Sequence, residues 1–242
     1  MKRIIYAIIL TLLPTLAAAN CENITYKSNN YTVCKVTAAD DLRLWHTDGN
    51  GMLYGSFGKI NADLAKQDKT LGFAMNAGMY HSDRSPVGLF IQGGLEREKI
   101  ADGGSYGNFG LKPNGVFCFG DQGYNVIETN TFRKSKTVCE YATQSGPMLV
   151  INNKLHHRFL VNSTSRYIRN GAGVSADGKQ AFFVISNNRV NFHTFATLFK
   201  DHLKTPSALY FDGKVSRLYA PELNRSDNGF ALGVIVGAVI PR

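Results

Sequence analysis

A series of short apolar segments limits what this chain can fold into: Tyr31–Val36, Gly72–Met75, Val87–Gln92, Gly115–Phe119, Pro147–Ile151, Gly171–Ser175, Gln180–Ile185, Ala208–Phe211 and Ala231–Val239. Most are rich in Val, Phe, Ile or Tyr and are bounded by Gly, Asn, Asp or Pro, the pattern of strands between tight turns. Two stretches carry helical periodicity instead. Ser56–Lys66 places Phe57, Ile60 and Leu64 on one face, and Asn191–Lys204 does the same with Phe192, Phe195, Phe199 and Leu203, with Asn191 as its N-cap. Turn chemistry marks Asp48-Gly49-Asn50-Gly51, Gln92-Gly93-Gly94, Ala176-Asp177-Gly178-Lys179 and Asn187-Asn188, of which Asp177-Gly178 is the strongest hairpin signal. The expected fold is α+β, a single domain of large, bent, mixed β-sheets flanked by few helices. Helices are too few to alternate with the strands, and no GxGxxG or GxxxxGK[ST] follows a strand, which argues against a doubly wound nucleotide fold.

The amino terminus reads as an export leader. Lys2 and Arg3 precede an apolar run, Ile4–Leu16, and Ala17-Ala18-Ala19 supplies small residues for cleavage, so the mature chain is expected to be 20–242. Pro14 interrupts the run, which is shorter than the ~20 residues a spanning helix needs. Cys21 raises a lipoprotein alternative, which Asn20 in the position before it disfavours. The remaining 223 residues contain no linker, charge block or repeat and suit one domain. Phe230–Ile240 is apolar but too short to cross a bilayer and reads as a buried strand, so no membrane contact is expected once the leader is gone.

The net charge of +9 falls to about +7 without Lys2 and Arg3 and favours anionic partners. Basic residues are scattered rather than gathered on a helix or interleaved with stacking aromatics, which argues against nucleic acid. Cys21, Cys34, Cys118 and Cys139 are even in number and lack CxxC or metal-ligand spacing, so two disulfides are expected. Three pairings are possible; Cys21 with Cys34 and Cys118 with Cys139 close short local loops. Asn23, Asn30, Asn162 and Asn224 lie in sequons that matter only in a eukaryotic secretory route. No HExxH or EF-hand pattern is present, and neither cofactor nor metal is expected.

Gly, Asn, Ser and Asp concentrate at strand ends: Met75-Asn76-Ala77-Gly78-Met79-Tyr80 with Pro86-Val87-Gly88-Leu89, Asn108–Val116 around Asn114, Gln144-Ser145-Gly146-Pro147-Met148, Ser165–Gly171 around Arg166 and Arg169, and Tyr210-Phe211-Asp212-Gly213. Glycine admits close backbone approach to a ligand, and amide and hydroxyl side chains both donate and accept, which suits a polyhydroxylated sugar. Any one of these segments alone is as readily a plain turn.

Taken in order, they resemble the phosphodiester glycosidase family, the uncovering-enzyme-like domain, in its short bacterial branch. Asn76-Ala77-Gly78-Met79-Tyr80 resembles the family's Asn-x-Gly-aromatic signature, followed by Pro86 and Gly88. Ser145-Gly146-Pro147 resembles its Ser/Gly-Gly-Pro turn, Arg169 with Gly171 its strand entry of an arginine followed by glycine, and Leu209–Ser216 its apolar-Asp-Gly segment. The resemblance runs from about Phe73 to Tyr219. Where many members carry Asp-Gly-Gly-Gly-Ser, this chain has Asp212-Gly213-Lys214-Val215-Ser216, a stiffer and more basic loop. What the resemblance implies is hydrolysis of a sugar 1-phosphodiester, of N-acetylglucosamine type, with a phosphorylated carbohydrate as the partner.

Such chemistry needs a carboxylate beside an oxocarbenium-like centre, while the phosphodiester leaves as a ready anion. Asp212, at the end of an apolar strand, is the first candidate, against the plainer reading of an Asx-turn aspartate. Arg169 is the candidate phosphate clamp, with Arg166 second, because guanidinium binds phosphate bidentately. Asn76, Gly78, Tyr80, Asn114, Ser145, Gly146, Gly213 and Ser216 complete the expected binding set. His156 is a candidate proton donor near neutral pH.

Two alternatives stay open at this stage. A carbohydrate-binding or envelope-interaction protein without turnover would use Trp45, Tyr54 and Tyr106 as stacking platforms. A serine hydrolase would use Ser145, although GxSxG is absent around it. The short leader and the bacterial-branch motifs point to the periplasm.

Overall fold

In the computed structural model, which describes residues 20–102, 107–212 and 215–242, three β-sheets enclose one core. The expected leader (1–19), Tyr106, Gly213 and Lys214 lie outside the described residues. The first sheet has seven strands in the order Asn20–Tyr26, Asn29–Thr37, Gln180–Ser186, Asn170–Val174, Ser207–Tyr210, Met148–Ile151 and Lys154–Leu155. The second has five: Arg225–Ser226, Leu218–Ala220, Lys69–Asn76, Ile235–Pro241 and Asp41–Trp45. The third runs Leu95–Glu98, Phe90–Gln92, Tyr141–Ser145, Gly115–Gly120 and Gly123–Glu128. Strand directions are more uniform than expected, since every paired strand among the described residues is antiparallel. Few helices means few of the long crossovers that parallel pairing requires.

The α+β architecture follows from the burial pattern. Phe183 of the first sheet meets Phe73 of the second at 5.3 Å and Phe117 of the third at 5.5 Å, so aromatic rings from all three sheets meet at one point. Strand Lys69–Asn76 is buried on both faces: Phe73 and Met75 turn to the shared core, while Leu71 and Ala74 pack under the helix Phe57–Leu64. That helix begins where Ser56 accepts a hydrogen bond from the Lys59 amide, and it buries the expected Phe57, Ile60 and Leu64. The second helix starts at Phe192 with Asn191 capping the Thr194 amide at 2.8 Å, then widens into a π-type turn over Leu198–His202. Phe195 and Phe199 cover the outer face of the first sheet.

Both disulfides pair as the short-loop reading had them, Cys21 with Cys34 across adjacent strands and Cys118 with Cys139. The Asp177-Gly178 turn joins Asn170–Val174 to Gln180–Ser186, with Gly178 at φ +70°. One apolar run departs from expectation: the strand begins at Ile235, not at Ala231. Residues 231–234 are held as a wall instead, Leu232 donating to the Gly55 carbonyl and Ala77 donating to that of Val234. Gly233 lies against the Tyr80 ring, where a Cβ would come within 2.4 Å of Cγ. Strands Asn20–Tyr26, Asp41–Trp45, Leu95–Glu98, Gly123–Glu128 and Tyr141–Ser145 went unread because they carry polar residues at most exposed positions and form by pairing with neighbours.

Because Phe183 joins the three sheets, Phe183→Ala is expected to lower unfolding free energy by about 3–5 kcal/mol. Urea denaturation checks this; a loss below about 1 kcal/mol would mean that the ring contacts do not bind the sheets together.

Candidate functional site

The site candidates lie where strands end. Lys69–Asn76 finishes at Asn76, Tyr141–Ser145 at Ser145, Asn170–Val174 begins beside Arg169, and Ser207–Tyr210 leads through Phe211 to Asp212. The backbone carrying Asp212 is gripped from several sides. Ser145 Oγ donates to the Phe211 carbonyl at 3.0 Å, the Phe211 amide donates to the Asn170 carbonyl at 3.1 Å, and Ser216 Oγ lies 3.5 Å from the Asp212 carbonyl oxygen. Asn170 in turn donates from Nδ2 to the Asn76 carbonyl at 2.7 Å, and its Oδ1 lies 3.3 Å from Ser216 Oγ. Asn76 accepts at Oδ1 from the Arg217 amide at 2.9 Å, while its Nδ2 is buried with no hydrogen-bond partner among the described residues.

Tyr80 lies beside this network. Burial first, then the charge of Asp212, push its hydroxyl up to about 12, while the cations Arg84 and Arg217 oppose the rise. The Arg84 guanidinium lies over the Tyr80 ring at 5.5 Å. Gly78 makes the approach possible, since a Cβ there would come within 2.1 Å of Thr143 Oγ1.

Arg169 joins Asp212 through Tyr210. Its Nη1 donates to the Tyr210 hydroxyl at 3.2 Å, and the Tyr210 proton is raised to about 12 by burial, with Asp212 adding and Arg169 opposing. Asn76, Arg169 and Asp212 are thus linked through Asn170, Phe211 and Tyr210, with Asn76 and Arg169 buried. Arg169 itself is 1% exposed: Nε donates to the Val190 carbonyl at 2.9 Å, Nη2 to that of Ser165 at 3.1 Å, and the guanidinium stacks on Phe192 at 3.6 Å. No carboxylate among the described residues pairs with it. Burial lowers its pKa, against the opposing contribution of Tyr210.

Other expected residues are placed differently. Ser145 is fully buried, with its hydroxyl spent on the Phe211 carbonyl. Asn114 donates to the Phe109 carbonyl at 2.8 Å and packs on Gly146, where a Cβ would sit 2.0 Å from its Oδ1; it lines a separate cavity of about 500 Å³ with Glu128 and Asp102. Arg166 is exposed. His156 is buried with both nitrogens engaged, Nε2 donating to the Lys112 carbonyl at 2.9 Å and Nδ1 accepting from the Arg158 amide at 3.2 Å. It is part of a ring column with Phe159 and Phe192 that ends on Arg169. Of the aromatics that would suit a sugar-stacking surface, Trp45 is core and the Tyr54 hydroxyl donates to Asp63 at 2.8 Å.

Four members of the group were given no role by the sequence: Arg84, Asn170, Tyr210 and Arg217. Asn170 and Tyr210 adjoin the flagged Arg169 and Asp212 and carried a signal by position. Arg84 and Arg217 carried none. Among the described residues, no group of three or more His, Cys, Asp or Glu is placed to hold a metal ion, and no helix is long and apolar enough to cross a membrane.

The strand ends thus gather a carboxylate, guanidinium groups, a tyrosine and buried amides. The chain belongs to the phosphodiester glycosidase family, which it matches over residues 69–234. It is 33% identical over 221 residues to the uncharacterized protein YigE of Escherichia coli (strain K12), covering 90% of this chain and 85% of that protein. The fold is similar to the zebrafish N-acetylglucosamine-1-phosphodiester alpha-N-acetylglucosaminidase catalytic domain auto-inhibited by pro-peptide, at a TM-score of 0.58 and 12% identity, over 90% of this chain and 81% of that one. A putative exported protein from Burkholderia pseudomallei K96243 matches at a TM-score of 0.49 and 10% identity, over 87% of this chain and 74% of that one.

His156 makes the site region pH-sensitive in a predictable direction. Burial holds its pKa below the ordinary 6.5, with the Lys112 hydrogen bond opposing. The unfolded ring takes up its proton first as pH falls, so the stability due to the neutral ring is complete above about 6.5 and is lost below it. His46 is shifted the same way, again by burial first. Urea midpoints at about pH 7.5 and about pH 5 should show this loss. His156→Gln should shrink the difference; an unchanged difference would mean that His156 is not held neutral.

Proposed function

We propose that this chain is an exported hydrolase that cleaves a sugar 1-phosphodiester, with N-acetylglucosamine as the sugar class. The observation that carries the proposal is the grip of Ser145, Asn170 and Ser216 on the backbone around Asp212, within a chain of the phosphodiester glycosidase family. The sugar class rests on the activity for which the zebrafish protein that shares the fold is named. The expected leader and the two disulfides support export to an oxidising compartment, the periplasm.

In this reading the C1–oxygen bond to phosphate breaks with its electron pair leaving on the phosphate oxygen, and water forms the new bond at C1 and releases a proton to solvent. Asp212 stabilises the positive charge that develops at the sugar ring. The products are the free sugar and a phosphomonoester, whose second negative charge is a natural match for nearby guanidinium. Buried Arg169 acts through its field, stabilising negative charge at the site from beneath Tyr210, rather than as an open clamp. Ser145 holds Asp212 in place, so it is not the nucleophile. His156 is assigned no chemical step, since both its nitrogens are engaged with backbone.

Asp212→Asn should lower turnover of an aryl or nucleotide sugar phosphodiester by about 10²- to 10⁴-fold while the protein remains folded by circular dichroism. Full activity in that variant removes Asp212 from the chemistry. Absence of turnover in the wild type, with sugar binding retained, would favour a carbohydrate-binding protein. Ser145→Ala, which leaves the buried Phe211 carbonyl without its donor, should destabilise by about 1–3 kcal/mol and reduce activity only partly.

A further inference from the structure

The turn between Tyr80 and Pro86 is built at a cost. Arg84 adopts φ +77°, in the left-handed region that favours glycine, yet it carries the longest side chain the position could hold. Three contacts hold the turn: the Arg84 amide donates to the His81 carbonyl at 2.9 Å, Asp83 Oδ1 accepts from the Ser85 amide at 2.9 Å, and His46 Nε2 donates to the Arg84 carbonyl at 2.9 Å. The result sets the guanidinium over the Tyr80 ring, on the ring whose hydroxyl lies in the field of Asp212.

Arg169 and Arg217 are the other described cations of this region. Arg169 is buried and donates from all three nitrogens to protein oxygens. Arg217 lays its guanidinium across Gly229, where a Cβ would meet Nη2 at 2.5 Å, beside a small cavity of about 90 Å³ shared with Asp227. Arg84 differs. Half-buried, its guanidinium forms no ion pair and donates no hydrogen bond to another described residue. A planar fork of donors, fixed in direction by a strained backbone and anchored on an aromatic face beside a carboxylate, is a preorganised receptor for a tetrahedral oxyanion.

We propose that Arg84 is the residue that grips the phosphate of the substrate, and that His46 is a positioning residue that holds the strained turn. This rests on the sugar-phosphodiester reading above. The phosphate gains charge as the C1–oxygen bond breaks, so Arg84 favours both the bound diester and the departing monoester.

The turn's geometry makes the test unusually clean, because glycine suits φ +77° better than arginine does. Arg84→Gly should therefore melt at or above the wild-type temperature, which removes misfolding as an explanation. Binding of methyl phosphate to the intact protein, followed by calorimetry, should weaken at least about tenfold in Arg84→Gly and less in Arg84→Lys, which keeps the charge but not the fork. In turnover, kcat/KM for a sugar 1-phosphodiester should fall by about 10²- to 10³-fold in Arg84→Gly, while inhibition by free N-acetylglucosamine stays unchanged. His46→Gln should reproduce part of the loss through KM. Equal methyl phosphate affinity in the wild type and Arg84→Gly, or no methyl phosphate binding in the wild type, overturns the proposal. Methyl phosphate binding that depends on Arg84, without turnover of any sugar phosphodiester, supports the anion site and sinks the hydrolase reading instead.

Discussion

The hydrogen bonds on either side of Phe211 are the constraint on which the rest of the strand-end architecture depends. Phe211 itself is buried, its ring 6.3 Å from Phe117 in the shared core, while its amide and carbonyl are both committed, to Asn170 and Ser145. A residue fixed by its ring in the core and by its backbone at two points cannot rotate, so the next residue leaves the fold in one direction. Asp212 is that residue. Its backbone is placed by three strands from two sheets, which meet at the aromatic junction.

A second consequence concerns how charge is arranged. An arginine buried against a carboxylate would cancel much of that carboxylate's effect on a ligand. Arg169 is instead stabilised by the faces of Phe192, Tyr167 and Tyr210 and by neutral oxygens. Rings and carbonyls lower the cost of burying the cation without neutralising it, so its field persists at the site. The ring column running from His156 through Phe159 to Phe192 then has an evident use, holding flat the surface on which the guanidinium rests.

Much of this was legible in the sequence because local rules and global fold agree there. Strand Lys69–Asn76, the helix capped by Asn191 and the Asp177-Gly178 hairpin each follow from apolar spacing and turn chemistry. The group formed by Asn76, Arg169 and Asp212 was reachable because each sits where an apolar run meets a Gly- or Asn-rich segment. What sequence could not give was the direction of each side chain. Ser145 and Asn76 looked like ligand contacts, and both spend their oxygens on backbone; His156 looked like an acid, and burial fixed both its nitrogens. Hydrogen-bonding residues at strand ends serve equally to hold a loop or to hold a ligand, and only the third dimension separates the two uses.

Arg84 is the opposite case, invisible to pattern and evident in geometry. Its neighbours His81, Ser82, Asp83 and Ser85 read as an ordinary polar turn, and nothing in residue spacing distinguishes its charge from other scattered cations. What singles it out is a conflict between levels: a residue with a Cβ held where glycine would be cheaper, by contacts that include a histidine from a distant strand end. Natural sequences break local rules of this kind where function requires it and compensate nearby. In this fold the compensation is visible in the His46 and Asp83 hydrogen bonds, and the group they sustain is a guanidinium facing the same tyrosine that faces Asp212.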